Sequence, residues 1–467
     1  MRLQSKKLNQ PSLPPIIINV FLLSLIYWSY LGCATRMNIV FDAIGYESLG
    51  RMIKDQGWVT FFTTGPNREP LYPSLIAVSM YLEQLSGLAY VKIMAFFGII
   101  IMFLTQILTY KILRLLNIRN GICVLVLAYL ALSPALNNAA FSLYSEIAAL
   151  PFILGIILTS FYLWEAILKN KQQEAFIYAA LLGILLAAAT FIKAVFECIT
   201  PAYLIIFFTT VFLTDKETKT EKITTFLICL IAVSIFFYIP ITTYKWLNKQ
   251  YNGNFVITNR GSWALYGSTA RRMEPLTLKK FAEALAYAPG EGVCNSLFGP
   301  QECDFWSFRK SDEFGFTKQA ELTHQHLSPN KITTTMLSLS AQKALQNPFQ
   351  YTLLTFIEGL KMSFWESTQV GFVSYPHWLE RIYNIKIFNN GLRFFASLMT
   401  MGAVIFLWLI TLHPLKNQIG FLISILIFLY TLFFSFFFIL TRYALPLAPL
   451  YLIAIGIWIN QNLAPKK

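Results

Sequence analysis

The sequence predicts an all-α polytopic membrane protein of about ten transmembrane helices, and three observations carry that reading. The chain of 467 residues is 56% hydrophobic. Only 13% of it is charged, against about a quarter in a soluble globular protein. The apolar residues, 41 phenylalanines among them, fall into runs long enough to cross a bilayer as a helix, which takes about 20 residues. Lipid offers the backbone no partners, so such runs must satisfy their own N–H and C=O groups as helices.

Run length gives candidate spans at 15–35, 89–110, 121–136, 147–168, 175–192, 196–214, 223–244, 392–412, 419–440 and 444–461. The first apolar run is too long for a typical cleaved signal peptide, so it reads as a retained anchor. Three regions follow: a seven-span module at 1–244, a domain at 245–391, and three C-terminal spans at 392–467. The middle region opens with "YNGNFVITNRGSWALYGSTARR", strand-like pieces broken by Asn-Gly and Gly-Ser turns. Its later part reads as helix, with Pro348 starting a new turn, so a mixed α/β domain is predicted between spans seven and eight.

Loop charges set the sidedness. Arg2, Lys6, Lys7, Lys111, Arg114, Arg119, Lys169, Lys171, Lys216, Lys219, Lys222, Lys416, Lys466 and Lys467 all fall on one side. The positive-inside rule then makes both termini cytoplasmic. The same rule accounts for the net charge of +14, and no basic helix with interleaved aromatics points to nucleic acid. Loop 36–88 and the domain at 245–391 become external. Cys33, Cys123, Cys198 and Cys229 lie in or beside apolar runs and read as packing residues. Cys294 and Cys303, in "CNSLFGPQEC", are disulfide candidates if that segment is external.

The first external loop begins "VFDAIGYESLG". Apolar positions near one face predict an amphipathic surface helix, with Asp42 at its N-cap and Gly57 at its C-terminal stop. Glu47 falls on the polar face. Next, Pro66, Pro70 and Pro73 stiffen a segment that displays Arg68 and Glu69, and Pro73 suits the first turn of a second surface helix. Rigid loops that display charged groups are frequent sites. The predicted topology also puts Glu146, Lys193 and Arg442 at the external face beside Asp42. Each has a plainer reading as well. Glu146 can be an acidic helix start, Lys193 can pair with Glu197, and Arg442 can snorkel to the interface. His324 and His326 lie two apart with no nearby cysteine, a weak metal pattern.

An Asp just past the first span, Tyr46 four residues on, and "GPNREPLYP" with Tyr72 ahead of the second span together resemble the C superfamily of integral-membrane glycosyltransferases. The resemblance is to the branch of protein O-mannosyltransferases and the lipid A aminoarabinose transferase. It extends more weakly to "NNAAFSLYSEIAALPF" and to "ILTRYALPLAPLYLIAIGIW", which carries Arg442 and Tyr443. The region at 245–391 matches no motif of that group. The resemblance implies a polyprenyl-phosphate sugar donor, an inverting transfer at the external face of a bacterial inner membrane, and an essential Asp in the first external loop.

On that reading Asp42 is the base that activates or orients the acceptor. Arg442, then Lys193, then Arg68 stabilise the leaving phosphate. Glu146 contacts the acceptor, or joins Asp42 around Mg²⁺ or Mn²⁺, and metal use stays open. Tyr46, Glu69, Tyr72 and Tyr443 support the loop. The acceptor is a lipid, a glycan or a protein hydroxyl. A surface-polysaccharide polymerase or ligase would share these features, and a lipid-sugar flippase or transporter is the non-enzymatic alternative. A transporter calls for ionisable groups at mid-membrane, whereas the charges here gather at one face.

Overall fold

A computed structural model describes residues 14–214, 220–366, 372–411 and 417–463, with the side chains of 220–222 left out. Of the charges that set the sidedness, Arg2, Lys6, Lys7, Lys216, Lys219, Lys416, Lys466, Lys467 and the Lys222 side chain lie outside the described residues.

The protein is an all-α polytopic membrane protein. Among the described residues, nine helices are long and apolar enough to span a bilayer, and a bent pair makes a tenth. The nine are Pro15–Ala34, Tyr90–Leu115, Glu146–Leu168, Gln172–Ile192, Phe196–Thr214, Ile223–Asn252, Lys386–Ile410, Gln418–Ser435 and Thr441–Asn462. The bent pair, Asn120–Leu132 and Pro134–Ala140, turns by 51° where the sequence predicts one straight span. Pro134 has no N–H to continue the ladder. The freed groups find side chains instead. Ala131 O accepts from Trp28 and from Asn137, at 3.2 and 3.0 Å. Glu366 accepts from Ala135 N at 2.9 Å and from Ser133 Oγ at 2.8 Å. A break in an apolar setting is tolerated when its polar groups are paired in this way.

Loop 36–88 forms the two predicted surface helices, Asp42–Thr63 and Leu71–Ser86, which pack on each other. Pro73 sits in the first turn of the second, as predicted. Gly57 does not end the first helix. It holds a positive φ of 81° and kinks the helix, which runs on to Thr63.

The region at 245–391 differs from the mixed α/β expectation. The strand-like opening is a helix, Gly261–Arg272, followed by Leu278–Tyr287, Glu291–Phe298, Phe308–His324, Pro329–Gln346 and Pro348–Leu360. The Asn-Gly pair at 252–253 acts as a helix stop, with Gly253 at φ 81°, rather than as a hairpin turn. The only strand pairing among the described residues is two residues long. Arg36–Met37 runs antiparallel to Val373–Ser374, tying the first loop to the end of the domain. Cys294 and Cys303 are disulfide-bonded and sit in a small apolar core with Tyr287, Trp306, Leu354 and Ile357.

The last two predicted spans are also reshaped. The helix Gln418–Ser435 stops one turn early, and residues 436–440 cross to a 3₁₀ turn, Thr441–Leu447. That irregular crossing carries Arg442 inward.

Candidate functional site

Asp42, Arg68, Glu146, Lys193 and Arg442 converge from five separate segments onto one cavity of about 1000 Å³. Asp42 is the first residue of its helix. Phe41 is the cap residue, with a positive φ of 51° and no side-chain cap bond, so the predicted capping role for Asp42 is not the one it plays. Its carboxylate is spent on ion pairs instead. Arg68 donates to Oδ1 at 2.6 Å and Arg442 donates to Oδ2. Burial pushes the Asp42 carboxyl up, but Arg442 and Arg68 outweigh burial and hold it below the ordinary value.

Arg442 links two carboxylates, since its Nε also lies 4.0 Å from Glu146 Oε1. Lys193 donates to that same oxygen at 2.9 Å. It therefore does not pair with Glu197, which takes Lys245 at 2.5 Å. Glu146 is 3% exposed and Lys193 9%, while Asp42 keeps 27% of its side chain open to the cavity. The second Glu146 oxygen is buried with no hydrogen-bond partner.

The aromatic and loop residues frame this cluster. The Tyr46 hydroxyl bonds the Ser145 hydroxyl at 2.8 Å, and its ring lies 5.2 Å from the Arg68 guanidinium. Tyr72 packs edge-on to Tyr46 and donates to Ser142 O at 3.5 Å. Glu69 accepts from Ala194 N at 3.0 Å, pinning the proline-stiffened segment to the turn that bears Lys193. The Tyr443 ring lies 5.6 Å from the Lys193 ammonium and 5.7 Å from the Arg442 guanidinium. Glu47 is occupied elsewhere, accepting from Arg51 and Tyr90.

Among the cavity residues that escape the sequence reading are Tyr144, Arg260 and Asp312. Tyr144 lies under Arg442, with its ring 4.5 Å from the guanidinium. Its position two residues before Glu146, at the end of a broken span, was the available signal. Arg260 and Asp312 come from the helical domain and line the same cavity. The strand-like reading of 251–272 hid Arg260, and Asp312 lies in a polar stretch where a charge is ordinary.

Asp42 and Glu146 are already neutralised by cations, and no group of three His, Cys, Asp or Glu gathers among the described residues. His324 is the last residue of a helix and, like His326, is exposed. What the site offers is positive charge held beside one partly open carboxylate. Next to it run apolar walls that include Phe433, Phe434 and Phe436. A comparison with family models finds no match to this chain, and a comparison with curated proteins finds none.

Proposed function

We propose that the protein is a membrane glycosyltransferase that moves a sugar from a polyprenyl-phosphate donor to an acceptor hydroxyl at the external face. The observation that carries this reading is the clamp on Asp42. One carboxylate, open to a large cavity, is gripped by two arginines that a phosphate can take over. Guanidinium groups suit phosphate oxygens, and Arg442 is held at its post by Glu146 and Tyr144. On this reading the Asp42 carboxylate stands where the donor phosphate would meet the two arginines. Donor binding engages Arg442 and Arg68, and Asp42 is released toward the acceptor.

The acceptor O–H gives its proton to Asp42, and the acceptor oxygen attacks the anomeric carbon. The bond from that carbon to the phosphate oxygen breaks, and the electron pair leaves on the polyprenyl phosphate. Arg442, Arg68 and Lys193 meet the negative charge that grows there. The configuration inverts once. No metal is needed in this scheme. The phenylalanine wall suits an isoprenoid chain. Both termini are assigned to the cytoplasm of a bacterial cell, and the disulfide fits an oxidising external face.

The test uses the full chain in lipid nanodiscs with a polyprenyl-phosphate sugar and a hydroxyl acceptor. Wild type turns over and Asp42→Asn does not, while Arg442→Ala loses binding of polyprenyl phosphate. Equal turnover by wild type and Asp42→Asn removes Asp42 from the chemistry.

A further inference from the structure

Arg260 and Asp312 stand apart from the other charges of the cavity. Arg68, Lys193 and Arg442 each have a carboxylate partner. Among the described residues, the Arg260 and Asp312 side chains make no hydrogen bond and no ion pair within 4 Å, yet both line the cavity and both are half-buried. The guanidinium of Arg260 rests only against the ring of Trp263, at 5.4 Å. The two groups of opposite sign act on each other, and Arg260 on Asp42, only at longer range, so both keep their hydrogen-bonding capacity for a ligand in the cavity.

The fold sets both groups rigidly. Arg260 caps the helix Gly261–Arg272, and its neighbour Asn259 donates its backbone N–H to Pro66 O at 3.1 Å. The proline-stiffened segment and Arg260 therefore belong to one wall. Asp312 rides on the helix Phe308–His324. Two glycines let these helices touch: Gly267 faces the Ser311 carbonyl, and a Cβ on Gly315 would come within 2.5 Å of the Trp263 carbonyl. The Ser268 and Ser311 hydroxyls bond across the seam at 3.1 Å. Asp312 follows Ser311 and so is fixed by that contact.

We infer that Arg260 and Asp312 form a second subsite, which binds an anionic sugar unit of the acceptor. The guanidinium takes the acid group, phosphate or carboxylate, and the Asp312 carboxylate accepts sugar hydroxyls. The assignment to the acceptor rests on the donor reading of the Asp42 clamp. The existence of the subsite does not.

The experiment measures binding of glucose 6-phosphate, glucuronate, neutral glucose and inorganic phosphate to the full chain in nanodiscs by saturation-transfer NMR. Binding of a polyprenyl phosphate is measured alongside on the same variants. Both sugar anions bind wild type, and glucose binds at least about tenfold more weakly, the scale of a hydrogen bond to a charged group. Arg260→Ala weakens both anions about tenfold, and Arg260→Lys recovers part of the loss. Asp312→Asn weakens all three sugars and spares inorganic phosphate. Arg442→Ala leaves the sugar anions bound and releases polyprenyl phosphate. The inference is overturned if neither anion binds wild type, if their binding follows Arg442 instead of Arg260, or if Arg260→Ala also releases polyprenyl phosphate. If the anions bind through Arg260 while wild type ignores polyprenyl phosphate, the subsite stands and the donor reading falls.

Discussion

Two clusters of buried charge, one where loop 36–88 meets the ends of the spans and one in the helical domain, are built for opposite ends. The first, around Asp42, opens on the cavity. The second, around Glu358, is sealed. Glu358 Oε1 accepts from Lys361 Nζ at 2.6 Å and from Ile439 N at 2.8 Å, and its Oε2 accepts from Arg271 at 3.2 Å. Arg272 donates to Phe436 O and Phe437 O at 3.1 and 2.6 Å. All four side chains are at most 5% exposed. Three cations share one carboxylate here, and backbone carbonyls just past a helix C-terminus take up the excess. The sealed cluster grips residues 436–439, the irregular crossing that delivers Arg442 to the open one. A charge cluster that meets a cavity can exchange partners with a ligand, whereas one without a cavity can only hold.

The largest expected difference between them is in turnover. Asp42→Asn lowers the rate about 10²–10⁴-fold, the usual contribution of a positioned general base, with a smaller loss of melting temperature than any change to the sealed cluster, because its carboxylate is partly open to the cavity. A stability loss matching that of the sealed cluster would make Asp42 a strut too, and the contrast would collapse. Next in size is Glu358→Ala, which strands three buried cations. Breaking a buried network in this way costs roughly 3–5 kcal/mol. It shows as a large drop in melting temperature in detergent, and Glu358→Gln, which still accepts from Ile439, loses less.

Much of the open cluster was legible in the sequence, and the sealed one was not. Asp42, Glu146, Lys193 and Arg442 stand out because a charge at the end of an apolar run is conspicuous against its surroundings, and Arg68 because three prolines stiffen the segment that displays it. Arg271, Arg272, Glu358 and Lys361 lie in a polar stretch where charges are ordinary, so their burial leaves no trace in the pattern. The strand-like reading of 251–272 failed for a related reason. Short segments rich in Tyr, Trp and Val fit strand or helix alike, and here packing against Phe308–His324 through Gly267 and Gly315 decided for helix. The bend at Ser133–Pro134 depends on Glu366, more than two hundred residues away, and no local rule could anticipate it.

The sealed cluster leans on the disulfide-stapled core, because Arg271 donates to Trp306 O at 2.8 Å and Trp306 packs with Cys294 and Cys303. The disulfide closes a short loop, separation 9, and its loss costs about 2–3 kcal/mol on a chain-entropy scale. Cys294→Ser with Cys303→Ser therefore lowers the melting temperature less than Glu358→Ala. Binding of polyprenyl phosphate at permissive temperature is retained. Loss of binding with the fold intact would mean that the staple reaches the open cluster directly.

The smallest effect separates the clusters by pH. Asp42 is held below its ordinary value, so the stability it adds is complete above its unfolded pKa of about 3.9 and is lost only as pH falls through the lowered folded value. Between pH 7.5 and 9.5 it contributes nothing that varies. Lys361 behaves in the opposite sense. Burial pulls its ammonium down to about 8, against the raising effect of Glu358, and the neighbouring Arg271 and Arg272 add to the fall. From about 8 up to the unfolded value near 10.4, the unfolded chain binds the proton that the folded protein has released, so this group makes stability rise with pH. The slope is at most about 1.4 kcal/mol per pH unit. Other lysines and tyrosines titrate in the same window, so the useful quantity is a difference. The melting temperature of Lys361→Met minus that of wild type falls between pH 7.5 and 9.5, because only wild type gains. The same subtraction for Asp42→Asn stays flat over that window. A flat difference for Lys361→Met would mean that Glu358 keeps the ammonium charged throughout, and that the sealed cluster holds its full positive excess at every pH at which the fold survives.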